Sequence, residues 1–251
     1  MTMPTRRYDL LLFDFDGTLA DSAVLFDLLL PALAQQRGVP PPAQGWQVLR
    51  AMDSRAMLRA LKIRWWQIPS VTRQMRLAMA QHLHRVQLYP GWSAVLEQLH
   101  AQGVQMVVVS SNSPSTVEKV LGPALGLFAA VHCRAPFLGK RAIFKRVVRQ
   151  SGVAPGRVLS IGDEGRDADA SHACGIDFVG VAWGLAHAQV LQPVSDWPLL
   201  QQPQDLAGLL ASADQGAQAG QTGATTVDQH CPLSRRRGWP LGGQPGEYSQ
   251  Y

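Results

Sequence analysis

Long apolar runs are missing from this sequence. Nowhere in its 251 residues is there the stretch of eighteen or more apolar residues that a membrane-crossing helix needs, so membrane is not an expected partner. Cysteine is scarce. Cys133, Cys174 and Cys231 are scattered, odd in number and without a Cys-x-x-Cys pair, which argues against both a disulfide framework and a zinc site. The opening residues Met1-Thr2-Met3-Pro4-Thr5-Arg6-Arg7 carry two arginines, but the apolar stretch behind them is short and broken by Asp9, Asp14 and Asp16. That is a poor signal peptide, and the expected compartment is cytoplasmic. RNA-recognition, helix-turn-helix and finger signatures are absent, so nucleic acid is not an expected partner despite a net charge of +5. Nothing in the pattern sets an oligomeric state.

The charge is unevenly spread. Residues 20–89 hold nine Lys and Arg against Asp21, Asp27 and Asp53, a surplus of six, so the rest of the chain stands at minus one. The basic excess belongs to one segment, where it serves either as solvated helix faces or as a functional surface.

What is present begins with a core: 46% of residues are hydrophobic, enough for a sizeable domain and an accessory one. An apolar run, Tyr8-Asp9-Leu10-Leu11-Leu12-Phe13, reads as a short buried strand and leads into Phe13-Asp14-Phe15-Asp16-Gly17-Thr18. Two carboxylates two residues apart on extended backbone point to one side. They fall at the strand's C-terminal end, where open α/β sheets bind ligands. Like charges buried together require a cation or a shared proton. Gly17 permits the turn that follows, and the Thr18 hydroxyl is suited to supporting a neighbouring carboxylate or peptide.

The next strong strand signal, Val104-Gln105-Met106-Val107-Val108-Val109, lies far downstream. The interval has helical spacing over 23–37, more weakly over 43–51 and 54–62, and again from 71 to about 88. So long a helical interval is no loop. It reads as a small cap domain over 20–88, inserted into a core made of 1–19 and 89–211. From Trp92 onward, helices alternate with strand signals near 104–109, 129–133, 157–161 and 178–181. Together with the first strand these predict an α/β fold, a three-layer parallel five-stranded sheet with an inserted α-helical cap. Beyond 211 the periodic apolar face is lost, and 212–251 reads as a disordered tail whose one charge run is Arg235-Arg236-Arg237.

Three further stretches fall at strand ends. In Val109-Ser110-Ser111-Asn112, a hydroxyl and free backbone N–H groups ahead of a helix suit a phosphate oxygen. Lys140 begins a helix, where its charge opposes the helix dipole and calls for an anion. Ile161-Gly162-Asp163-Glu164-Gly165-Arg166-Asp167-Ala168-Asp169 clusters carboxylates after a buried strand, and hard oxygen ligands suit Mg²⁺.

The four stretches, in this order, resemble the four motifs of the haloacid dehalogenase-like superfamily, most of whose members are magnesium-dependent phosphatases. The resemblance covers about residues 8–211. It implies a Rossmann-like core, Asp14 as nucleophile and metal ligand, and Asp16 as general acid and base with its carbonyl on the metal. Ser111 matches the second-motif hydroxyl, with Ser110 as the alternative, and Asn112 sits beside it at the phosphate. Lys140 would neutralise charge between nucleophile and phosphoryl group. Asp163 would hold Mg²⁺, Asp167 would support Lys140, and Glu164 would approach the metal. The lone helical cap looks like that of phosphoglycolate phosphatase-like enzymes. In such enzymes a cap loop reaches over the site, which makes Arg50 and Arg55 candidates for recognising a second anionic group.

The function so implied is Mg²⁺-dependent hydrolysis of a small anionic phosphate-ester substrate, a monoester, through an aspartyl-phosphate. The alternatives are a sugar-phosphate mutase on the same scaffold and a non-catalytic binding protein that keeps the pocket.

Overall fold

The apolar runs become five strands of one parallel sheet in the computed structural model, which describes residues 7–52, 54–135 and 139–211. The strands are β1 (Leu10–Phe13), β2 (Gln105–Val109), β3 (Ala130–His132), β4 (Val158–Gly162) and β5 (Asp177–Gly180). Their order is β3-β2-β1-β4-β5, with β1 paired to β2 and β4. Alternation along each strand feeds two layers. Leu11 and Phe13 of β1 face the same core as Met106 and Val108 of β2, while Leu10, Leu12, Val107 and Val109 face the opposite one.

Nine helices accompany the strands among the described residues. The first layer is covered by α4 (Trp92–Ala101), α5 (Pro114–Leu121) and α9 (Leu206–Ala211), and the second by α6 (Lys140–Ser151) and α7 (Gly165–His172). A short α8 (Ala188–Leu191) follows β5 and packs Leu191 on Phe178. The Ser113 hydroxyl caps α5 by accepting from the Thr116 N–H at 3.3 Å.

Between β1 and α4 lie α1 (Ala23–Gln36), α2 (Ser54–Ala60) and α3 (Ile68–Gln81), with single 3-10 turns between them. These helices build their own small core around Leu30, Leu33, Leu49, Leu61 and Ile63. The insert's two ends are tied together. Ala20 and Leu88 form an antiparallel bridge, and the Tyr89 N–H donates to the Leu19 carbonyl at 2.7 Å.

The helix expected from 71 to about 88 starts three residues earlier and stops at Gln81. Pro69 in the first turn favours the earlier start. The later residues are drawn into a 3-10 turn at Leu83–Arg85 and then the bridge at Leu88. The helical stretch expected at 43–51 is a 3-10 turn, Trp46–Ala51, preceded by Gly45 at φ 80°.

Among the described residues, no helix is long and apolar enough to cross a membrane. The tail expected at 212–251, with Arg235-Arg236-Arg237, lies outside the described residues, as do Asp53 and residues 136–138 just before Lys140.

Candidate active site

Strand order creates the site. The chain runs from β1 outward to β2 and β3, then returns to β4 and β5 on β1's other side. A crevice opens at the carboxyl ends where that reversal occurs. Asp14 follows β1 and Asp163 follows β4, and the Asp14 N–H extends the ladder by donating to the Ile161 carbonyl at 2.9 Å.

Two glycines make room for Asp163. At Gly17 (φ 73°) an added Cβ would lie 2.1 Å from Asp163 Oδ2, and at Gly184 it would lie 2.1 Å from Asp163 Cβ. Only hydrogen fits at either position. The carboxylate thus held accepts the Leu185 N–H at 2.7 Å. Behind the turn, the Thr18 carbonyl accepts from the indoles of Trp92 at 2.8 Å and Trp183 at 3.1 Å. Trp92 also meets Phe13 edge-on, centroids 5.4 Å apart, a contact of about 1 kcal/mol beyond its buried area. The Thr18 hydroxyl, in contrast, has no partner among the described residues, so the support this residue gives comes through its backbone.

At the centre, Lys140 is buried with its ammonium 2.7 Å from Asp14 Oδ1 and 2.6 Å from Asp167 Oδ1. Burial works to lower the lysine's pKa, but the two carboxylates outweigh it and the net direction is upward. Donor atoms of Asp14, Asp163 and Asp167 lie within 4.8 Å of one another. One oxygen of each (Asp14 Oδ2, Asp163 Oδ1, Asp167 Oδ2) is buried without a hydrogen-bond partner among the described residues. Three carboxylates against one ammonium leave two negative charges uncompensated. Burial, then the neighbouring Glu164, Asp14 and Asp167, push the Asp163 carboxyl well above the usual range. The donor set is all oxygen, orphaned and short of two positive charges, which fits a hard divalent cation.

The Asp16 side chain is not part of this cluster. Asn112 Nδ2 donates to both its oxygens, at 3.0 and 3.1 Å. Burial and the Asp14 charge push the Asp16 carboxyl up to about 7. Asn112 therefore holds Asp16 rather than waiting for phosphate, since its backbone N–H is also used, donating to Ser110 Oγ at 2.9 Å. Of the two serines, Ser110 is fully buried inside that turn, while Ser111 lies on the wall of a cavity of about 190 Å³ together with Asp16 and Asn112.

The remaining candidates are placed differently from the sequence reading. Glu164 does not reach toward the carboxylate cluster as a free ligand, because Arg166 from the first turn of α7 pairs with it. Arg50 spends its fork on the core: Nε donates to the Leu185 carbonyl at 2.9 Å and Nη2 to the Gly184 carbonyl at 2.8 Å. It fastens the insert to the loop whose next N–H holds Asp163. Arg55 is exposed on α2 and does not line the cavity. The arginine that the insert does place on the cavity wall is Arg76 of α3. Its Nε is buried without a partner among the described residues, and burial followed by the charge of Arg134 lowers its pKa. Arg76 sits one helical turn from Met79, whose sulfur lies 3.7 Å from Asn112 Nδ2. Its place in the basic segment was the sequence signal that bore on it, and that signal did not separate it from the segment's other arginines.

Residues 11–181 match the family model described as haloacid dehalogenase-like hydrolase. A phosphoglycolate phosphatase from Synechococcus elongatus is 32% identical over 200 residues, 78% of this chain and 94% of that protein. A crystal structure from Lactobacillus plantarum, 23% identical, superposes with a TM-score of 0.67 over 80% of this chain and 99% of its own. A haloacid dehalogenase-like family protein from Streptococcus pneumoniae gives 0.64 at 20% identity, covering 80% of this chain and 98% of its own.

Proposed function

The chain belongs to the haloacid dehalogenase-like hydrolase family, and on that premise we propose that it hydrolyses a small phosphate monoester through a phosphorylated Asp14. One observation carries the reading: three carboxylates with orphaned oxygens converge beside a buried lysine at the carboxyl end of the sheet. The Asp14 and Asp163 side chains and the Asp16 carbonyl would hold Mg²⁺, with Asp167 beside them. Bound there, the ion supplies the positive charge that lets an anionic ester approach an anionic nucleophile.

The protein's own groups do the rest. Lys140 holds Asp14 oriented from one oxygen, which leaves Oδ2 to attack phosphorus in line. As the bond to the leaving oxygen breaks, Asp16 gives its proton to that oxygen. Asp16, now ionised, takes a proton from the water that attacks the aspartyl-phosphate, releasing inorganic phosphate and restoring Asp14. Asn112 keeps the Asp16 carboxyl aimed through both steps. Ser111 and Lys140 donate to the phosphoryl oxygens. The insert closes the site over the leaving group, and unpaired Cys133 and Cys174 suit a reducing cytoplasm.

Screening purified protein against phosphate monoesters, with Mg²⁺ and again with chelator, tests this directly. Metal-dependent phosphate release is expected, and inactivity over a broad panel would sink the reading.

Within that reading, recognition of a second anionic group passes from Arg50 and Arg55 to Arg76. Arg76→Ala should lower kcat/KM for 2-phosphoglycolate relative to ethyl phosphate. The expected loss is about 10- to 150-fold, the worth of a charged hydrogen bond at roughly 1.5–3 kcal/mol. An unchanged ratio would remove Arg76 from the leaving-group contact.

A further inference from the structure

The cavity beside Asp16 is larger and more apolar than a two-carbon acid needs. Its floor carries Asp16, Ser111, Asn112 and the paired Glu164 and Arg166, and its walls run up between α1 and α3, through Leu29, Leu33, Leu61, Ile68 and Val71. The length can be read along α3. Met79 touches Asn112, and Ile68 stands eleven residues earlier on the same helix, about 16 Å at 1.5 Å per residue. The volume of about 190 Å³ therefore reaches from the reacting carboxylate into the core of the insert.

Few polar groups meet this space above its floor. Ser22 Oγ is occupied by the Gly17 N–H at 3.0 Å, and Thr72 and Arg76 are the polar side chains that α3 contributes. An ordered water needs two to four polar partners, and apolar cavities of roughly 150 Å³ stay dry and take up benzene-sized ligands. Water is a poor occupant here. The floor is the candidate active site itself, so an occupant joined to the reacting phosphate reaches the cavity without any other opening.

Resting on the phosphatase reading, we infer that the leaving group of the natural substrate carries an apolar body, alkyl or aryl, that fills the cavity inside the insert. The phosphate lies at Asp14 and Lys140, any carboxylate near the ester oxygen meets Arg76, and the hydrocarbon extends along α3 toward Ile68. In this protein 2-phosphoglycolate would be the smallest member of the substrate class, using only the floor.

The test measures kcat/KM of the full-length protein with Mg²⁺ on methyl, butyl, hexyl and 2-phenylethyl phosphate, with 2-phosphoglycolate in the same assay. The expected gain is about fourfold per added methylene, the equivalent of ~0.8 kcal/mol, until the cavity is full. Val71→Phe places a ring in the cavity and should cut the hexyl-to-methyl ratio at least tenfold. Hydrolysis that is indifferent to chain length, within twofold from methyl to hexyl, overturns this inference and leaves the phosphatase reading standing. An unchanged ratio in a folded Val71→Phe overturns the placement along α3. Should that variant not fold, the wild-type series decides alone. No turnover of any ester, 2-phosphoglycolate included, removes the phosphatase reading and this inference with it.

Discussion

Asp14→Asn should fold and bind phosphate esters weakly, but release phosphate at a rate lower by a factor on the order of 10⁴ or more, as removal of an enzyme's nucleophile does. The fold should survive because the amide oxygen still accepts from Lys140 and from the Phe15 N–H, which now donate to Asp14 Oδ1 at 2.7 Å each. The Lys140–Asp167 pair is untouched. What is lost is the carboxylate oxygen Asp14 Oδ2, without a hydrogen-bond partner among the described residues, for which an amide is a poor substitute both as nucleophile and as cation ligand. Phosphate release, thermal melting without metal, and incorporation of a phosphoryl group into the protein separate these effects. A melting temperature within a few degrees of wild type with no phosphoenzyme is the expected pairing. If the variant kept more than about a hundredth of the wild-type rate, covalent chemistry at Asp14 would be wrong.

The sheet was legible because each strand is a short apolar run whose alternate residues enter two different cores. Leu10 and Leu12 face one, Leu11 and Phe13 the other, and either face left polar would have broken the pattern. The residues at strand ends were legible for a related reason. Asp14 and Asp163 are fixed by ladder register within one residue of a strand, so sequence position comes close to determining spatial position. Arginine obeys no such rule. Arg50, Arg55 and Arg76 all lie in the basic segment, and where each long side chain ends up is decided by tertiary packing. Arg50 meets two carbonyls more than 130 residues away, Arg55 meets solvent, and Arg76 lines the cavity. Glu164 illustrates the same limit over a short distance. Counted among acids it resembles a metal ligand, yet Arg166, two residues on, claims it once α7 begins. At Ser110 and Ser111 composition is silent, and the difference is made by a turn in which Ser110 Oγ accepts the Asn112 N–H.

Asp16→Asn should divide the reaction into its two halves. In the first half the proton held by Asp16 matters in proportion to how badly the leaving oxygen needs it. An alkyl ester expels an alkoxide, so its turnover should fall by about 10²- to 10⁴-fold, the usual worth of a positioned acid or base. An activated aryl ester such as 4-nitrophenyl phosphate expels a stable phenolate and can still transfer its phosphoryl group to Asp14. In the second half both substrates share one intermediate, whose hydrolysis requires a base to take a proton from water. Asparagine has none to offer. The variant should therefore release close to one equivalent of 4-nitrophenolate in a burst, then nearly stop, with the phosphoryl group retained on the protein and visible by intact mass. Position 16 should stay in place, because the amide oxygen of the new side chain can still accept from Asn112 Nδ2, which now donates to Asp16 at 3.0 Å. Equal slowing of the aryl and alkyl esters with no burst and no phosphoenzyme would take the proton transfers away from Asp16, and the base would have to be sought among the other groups on the cavity floor.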